Sequence, residues 1–309
     1  MEKKAYRIDI HHHILPPEYL KSLAKVGITT AGNVGFPTWE PRDSLELMDR
    51  QGIATAITSI STPGIFFGDR VFTRDLARIC NDFSAKLINK YPQRFGGFAT
   101  LPLPDIEASL IELEYALDTL ELDGVVLLSN INGKYLGDPE FEELFSELNR
   151  RRSVVFIHPH APPNDKLPQL SFPTSVLEFV FDTTRAVANI LHHGILKQFS
   201  NIRFILAHAG GTAPYLAWRI TFGNKRLIKY LKNFFYDMAI SATSYVLKTI
   251  MEVANPSKLL FGSDFPFVHE RIVKEMIQGI GNYDDLDKED CIAIERENAL
   301  MLFPRFSYE

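Results

Sequence analysis

Arg7-Ile8-Asp9-Ile10-His11-His12-His13 is the stretch on which the reading of this chain turns. Arg7–Ile10 reads as a first apolar β run that ends in three histidines. An extended strand sends alternate side chains to one face. Asp9, His11 and His13 are therefore expected to project together, with His12 turned away into packing. Two imidazoles on a rigid strand end suit zinc and other divalent transition ions, and Asp9 on the same face is expected to orient them. A tag remnant or a chance cluster is the competing reading. The run is only three histidines long, however, and it is embedded in structured sequence.

Outward from that strand, short β-rich runs recur at Arg7–Ile10, Ile53–Ile60, Phe95–Thr100, Gly124–Leu128, Val154–His158, Ile202–His208, Phe234–Met238 and Lys258–Gly262. Several are nearly continuous apolar strings, as parallel strands covered on both faces require. Helical spacing fills the gaps. Leu45, Leu47, Met48 and Ile53 follow Pro41-Arg42-Asp43-Ser44, a proline and capping start. Ile111, Leu113, Leu117 and Leu120 follow Pro104-Asp105, and Phe141, Leu144, Phe145 and Leu148 follow Asp138-Pro139. Alternating strands and helices predict an α/β fold, and eight such units predict a closed (β/α)8 TIM barrel. An open doubly wound sheet is the alternative, weakened because no G-x-G-x-x-G follows the first strand. A single domain over 1–309 is expected, with a small loop insertion near 27–40.

A barrel places its working residues at the C-terminal strand ends. His11 and His13 follow the first run, His158 ends the fifth, His208 ends the sixth, and Asp264 follows the eighth. Bulk properties agree with an enzyme acting on a small molecule. The chain has 309 residues, 46% of them hydrophobic, and a net charge of -5. That charge gives no footprint for nucleic acid or an anionic membrane. Two cysteines are too few for a disulfide framework, and no apolar run approaches the roughly 20 residues of a membrane span. The basic N-terminus is followed by no apolar leader core. A cytoplasmic protein is expected.

The pattern resembles the amidohydrolase superfamily, in the branch of aminocarboxymuconate-semialdehyde, γ-resorcylate and 6-methylsalicylate decarboxylases. IDIHHHILPPEYL, WEPRDSLELMDRQGI, YPQRFGGFATLPLPD, VVFIHPHAPP, RFILAHAGG and LLFGSDFPF carry the resemblance, which runs nearly end to end. KYLGDP and FDTTRAV are most similar to the salicylate-type members. The resemblance implies that His11, His13, His158 and Asp264 hold one divalent ion, zinc first and manganese second, with His208 beside it as acid–base. Asp264 would be both ligand and proton donor. Two-metal relatives place a carboxylated Lys or a Glu at the end of strand four. Here that strand runs into Ser129-Asn130, so a single ion is implied, with Lys134 the one remote candidate for a bridge.

Secondary candidates follow. His160 is expected to line the pocket or face solvent, while His192, His193 and His269 are expected to be structural or surface groups. Trp39, Phe66, Phe67 and Phe172 are candidate walls of an aromatic pocket, against the alternative of core packing. Asn130 is a candidate substrate contact. In the aminocarboxymuconate enzymes an Arg in the region of Arg219 and Arg226 reaches the neighbouring subunit's substrate, so Arg226 is a candidate in a homo-oligomer, dimer or tetramer. A second family Arg, just before Trp39, is replaced in GNVGFPTW. Three function classes remain open. The resemblance favours a metal-dependent decarboxylase of a small aromatic or unsaturated carboxylic acid. A metal-dependent hydrolase of a lactone, amide or ester would use the same ligands, and a silent metal-binding protein is the third.

Overall fold

The structure is a computed structural model and describes residues 6–163 and 170–307. The leader reading of the N-terminus therefore rests partly on residues outside the described ones. Eight strands form one parallel sheet in chain order: β1 Arg7–His13, β2 Ile53–Ser59, β3 Phe95–Thr100, β4 Gly124–Leu128, β5 Val154–His158, β6 Arg203–Leu206, β7 Phe235–Asp237 and β8 Leu259–Leu260. The chain leaving β8 returns to β1. Ile10 N–H donates to the Phe261 carbonyl at 3.0 Å, Asp264 N–H to that of His11 at 2.8 Å, and His13 N–H to that of Phe265 at 2.7 Å. These bonds close the barrel, with helices between the strands.

Two apolar layers hold it. Ile8, Ile10, Ile57, Phe98, Val126, Phe156, Ile205 and Leu260 pack together from every part of the sheet, so they fill its interior. The C-terminal segment plugs this cluster with Phe303 and Phe306. A larger layer packs helices on the outside of the strands, and it includes Phe141, Leu144, Phe145 and Leu148, all fully buried. Each such side chain contributes about 1.5–3 kcal/mol by leaving water.

Helix starts follow their caps. The helix Pro41–Gln51 opens with Asp43 accepting the Glu40 N–H at 2.7 Å. It ends at Gly52, whose φ of 67° is the left-handed cap conformation. Ile53 therefore opens β2 and is not part of the helical face. Asp105 caps Ile106–Glu114, accepting the Ala108 N–H at 3.2 Å. Ile111 on that helix faces solvent, 60% exposed, while Leu113 is buried. Residues 27–40 carry an antiparallel hairpin, Thr30–Ala31 with Val34–Gly35.

Strand β1 departs from simple alternation. Its register against β2 shifts between Asp9 and His12, the signature of a bulge. Ile8 and Ile10 join the interior cluster, yet His11 and His13 also turn toward the mouth, and Asp9 turns away with His12. The extra residue re-aims the histidines.

Candidate metal centre

Four side chains predicted from the sequence meet at the barrel mouth. His11 Nε2 lies 3.0 Å from His13 Nε2, and Asp264 Oδ1 lies 3.1 Å from His13 Nε2 and 3.3 Å from His11 Nε2. His158 completes the group, with one ligand atom from each residue inside 4.8 Å of the others. All four are buried.

The far sides of the rings decide what this cluster can hold. His11 Nδ1 meets Asp237 Oδ2 at 2.8 Å, His158 Nδ1 meets the Pro159 carbonyl at 2.8 Å, and His208 Nδ1 meets the Ala239 carbonyl at 3.1 Å. Carboxylate and carbonyl oxygens only accept, so each Nδ1 must carry the proton. His13 Nδ1 faces Ser59 Oγ at 3.0 Å and the Ser59 carbonyl at 3.4 Å, which places it alike. Nε2 of each neutral ring then offers a lone pair toward the mouth. Converging lone pairs and a carboxylate repel one another unless a cation or proton lies between them. The donor set thus fits a divalent metal ion.

Charge balance without an ion points the same way. Burial works against protonation of His11, but Asp237 and Asp264 more than offset it and raise its pKa to about 10. The two carboxylates thus favour positive charge at that ring. Burial pushes His13 down, and burial with the neighbouring imidazoles pushes His158 well down. Burial works to raise Asp264, yet His11 and His13 outweigh it and hold its carboxyl well below the usual range. Asp264 is a carboxylate here. Its φ of 58°, like the 51° of His208, lies in the left-handed region that costs a non-glycine residue free energy. Gly262 allows β1 to approach, since a Cβ there would stand 2.8 Å from His11 Cβ.

His208 also belongs to a convergent group with His11 and Asp237. Within that group His11 Nδ1 and Asp237 Oδ2 are already bonded to each other, so the trio orients rings and leaves His208 beside the four-residue cluster. The oxygen that orients His11 comes from Asp237, not from Asp9. Asp9 instead accepts from His12 Nδ1 at 2.9 Å and from Ser263 Oγ at 2.5 Å. The β1 bulge is the physical reason, because it turns Asp9 to the face opposite His11. His12 is not mere packing either: its Nε2 meets Ser44 Oγ at 2.8 Å, and Ser44 accepts the Trp39 indole N–H at 2.9 Å. Asp237 ends β7, so the strand-end rule that finds His158 and His208 finds it as well.

A cavity of about 340 Å3 adjoins the cluster, bordered by His158, His208 and Asp264, with Phe179 and Phe267 among its walls. Ala31 and Val34 of the hairpin insertion cover it. Other candidates lie elsewhere. Lys134 is half-exposed and pairs with Glu140, so it bridges no ligand. His160, Asn130 and Phe66 border a second cavity. Trp39 is buried in the core, Phe67 packs on Phe72, and Phe172 is exposed. His192 and His193 are exposed, and His269 accepts the Arg271 N–H at 3.1 Å as a helix cap. Arg219 and Arg226 are exposed and border neither cavity. Asp182, also unforeseen, is fully buried and accepts from Ser129, from Asn130 at 2.8 Å and from Tyr135 at 2.6 Å. Among the described residues no helix is long and apolar enough to cross a membrane.

Known proteins share this architecture. The amidohydrolase family model matches residues 8–305. The 6-methylsalicylic acid decarboxylase of Penicillium expansum is 33% identical, over 97% of this chain and 96% of its own. The 2-amino-3-carboxymuconate-6-semialdehyde decarboxylase of Dictyostelium discoideum is 26% identical over 94% and 90% of the two chains. A crystal structure described as an amidohydrolase II superposes with a TM-score of 0.92 at 30% identity, covering 96% of this chain and 99% of that one. A barrel with His and Asp converging at its mouth, matched along almost its whole length, places this chain in the amidohydrolase family.

Proposed function

We propose that this chain is a metal-dependent decarboxylase of a small aromatic or unsaturated carboxylic acid, salicylate-like before muconate-like. The observation that carries the reading is the cluster of His11, His13, His158 and Asp264 beside a cavity of small-molecule size, in a chain 33% identical to a 6-methylsalicylic acid decarboxylase. These four residues would hold one divalent ion, zinc. When bound, the ion supplies Lewis-acid stabilisation of the negative charge left as carbon dioxide departs.

The chain's own residues do the rest. Phe179 and Phe267 hold an aromatic ring against apolar surface and exclude water from the reacting carbon. The bond from ring to carboxylate breaks with its electron pair on that carbon, which then needs a proton. Asp264 and His208 border the cavity and are the groups that can hold one there. Asp264 begins as a carboxylate, so a proton it delivers is passed on by His208 or carried in by the substrate. We infer a single-domain homo-oligomer, dimer or tetramer, supported by the exposed Tyr215, Trp218 and Phe222, which are 80%, 73% and 81% exposed.

The test is carbon dioxide release from a panel of ortho-hydroxybenzoates and muconate-like acids, with bound metal identified by elemental analysis. No release, together with opening of lactones, moves the assignment to a hydrolase. Light scattering reads the oligomer.

A further inference from the structure

A second cavity, of about 360 Å3, opens on the side of the mouth formed by β2 to β5. Among the described residues, none borders both cavities. The chain between them is tied across by Thr62, whose Oγ1 donates to the Pro159 carbonyl at 2.7 Å. The walls are apolar, with Ile60, Phe66, Leu101, Leu103, Leu128 and Pro163 among them. No Lys, Arg, Asp or Glu is found among the described residues that line it.

Its polar groups are few and unevenly used. Asn130 is committed: its Nδ2 donates to the Ala161 carbonyl at 3.1 Å and to Asp182 at 2.8 Å, and its Oδ1 accepts the Gly133 N–H at 3.3 Å. His160 contacts Thr62 Oγ1 through Nδ1 at 3.3 Å, which leaves its Nε2 for a ligand. Thr62 Oγ1 gives its one proton to the Pro159 carbonyl, so His160 Nδ1 is the donor to it and Nε2 is the atom left to accept. Thr100 is 7% exposed, and its Oγ1 is buried without a hydrogen-bond partner. Leaving such a hydroxyl unpaired is costly, and a bound polar group would recover that cost.

We propose that this cavity binds a neutral phenol, its ring between the apolar walls and its hydroxyl shared between Thr100 and His160. The volume lies within the roughly 300–1,000 Å3 of small-molecule pockets. A carboxylate would enter without any cationic partner, and an unpaired buried anion is strongly disfavoured. The biological meaning rests on the decarboxylase reading. Replacing the ring–carboxylate bond by a ring–hydrogen bond turns an anionic hydroxybenzoate into a neutral phenol. The cluster cavity then serves the acid, and the second cavity serves its product.

The test is calorimetric titration of the full chain, metal-loaded and metal-stripped, with 3-methylphenol, toluene and benzoate. The expected result is one phenol per chain in both states, with benzoate excluded from the stripped chain. Thr100→Val, nearly isosteric, is expected to weaken phenol about tenfold and leave toluene unchanged. Leu103→Trp, which fills the space, is expected to remove both. Absence of phenol binding, binding that vanishes with the metal, or equal loss of phenol and toluene in Thr100→Val overturns the proposal. Carbon dioxide release without phenol binding sinks the cavity alone, whereas phenol binding without any carbon dioxide release sinks the decarboxylase reading alone.

Discussion

Asp237 Oδ2 receives the Nδ1 proton of His11 at 2.8 Å, while Asp237 Oδ1 accepts the backbone N–H groups of His208 at 3.2 Å and Ala239 at 2.8 Å. One carboxylate at the end of β7 thus fixes a candidate ligand ring and the chain that presents His208. Asp237→Asn keeps an acceptor oxygen but can turn an amide N–H toward His11, favouring the tautomer whose Nε2 is blocked. Metal affinity, read by chelator competition, should fall about 10–100-fold. An unchanged affinity would show that Asp237 does not orient His11.

Removing a ligand should act more severely. His11→Ala and His158→Ala are expected to lose metal and activity together, since three protein ligands leave an incomplete shell. Elemental analysis of the parent chain should give about one equivalent. Two tightly held equivalents would refute the mononuclear assignment.

Acid–base roles separate from ligation at His208 and Asp264. His208→Asn should retain the ion and slow turnover by about 10²–10⁴-fold; loss of metal instead would make His208 a ligand. Asp264→Asn keeps an oxygen but no titratable proton. It should be inactive even in the fraction of molecules that still carries metal, as read by single-turnover carbon dioxide release on metal-normalised protein.

Metal uptake should release a proton. The metal-free chain holds His11 protonated up to about pH 10, and an ion at the same position expels that proton. Affinity should therefore rise with pH, about tenfold per unit through neutrality, with proton release visible in weakly buffered solution. In the metal-free chain the raised pKa contributes stability that is fully present below about pH 6.5. That contribution fades as pH rises toward 10. A pH-independent affinity would refute the shared position.

Gly262→Ala tests the closeness of β1 to the chain leaving β8. The added carbon would stand 2.8 Å from His11 Cβ, so one of the two must move. Destabilisation of about 1–3 kcal/mol is expected from overpacking, with weakened metal binding alongside. Thermal melts with and without metal would show a smaller metal-induced gain in the variant. An equal gain would mean that His11 keeps its place.

The barrel was legible because strand runs, proline-led helix starts and Asp caps are local signals that the fold obeys. The cluster was legible because strand ends in a barrel converge whatever the loops do. Two things were hidden. The β1 bulge depends on pairing with Ile53–Ser59 and the chain after β8, so alternation along β1 alone assigned Asp9 to the wrong face. Asp182 sits in a helix and acts through contacts with Ser129, Asn130 and Tyr135, more than 40 residues away in sequence, which no spacing rule reveals.

His158 and His208 are anchored through main-chain oxygens alone, those of Pro159 and Ala239. No codon change can delete a carbonyl, so the tilt of His158 and His208 survives replacement of the neighbouring side chains as long as the backbone path is kept. His11 and His13 lean on the side chains of Asp237 and Ser59, and mutation can reach these directly. A library randomised at Ser59 would accordingly sample the β1 half of the grip without disturbing the opposite wall, whereas one at Asp237, which also holds the His208 and Ala239 amides, would move both halves.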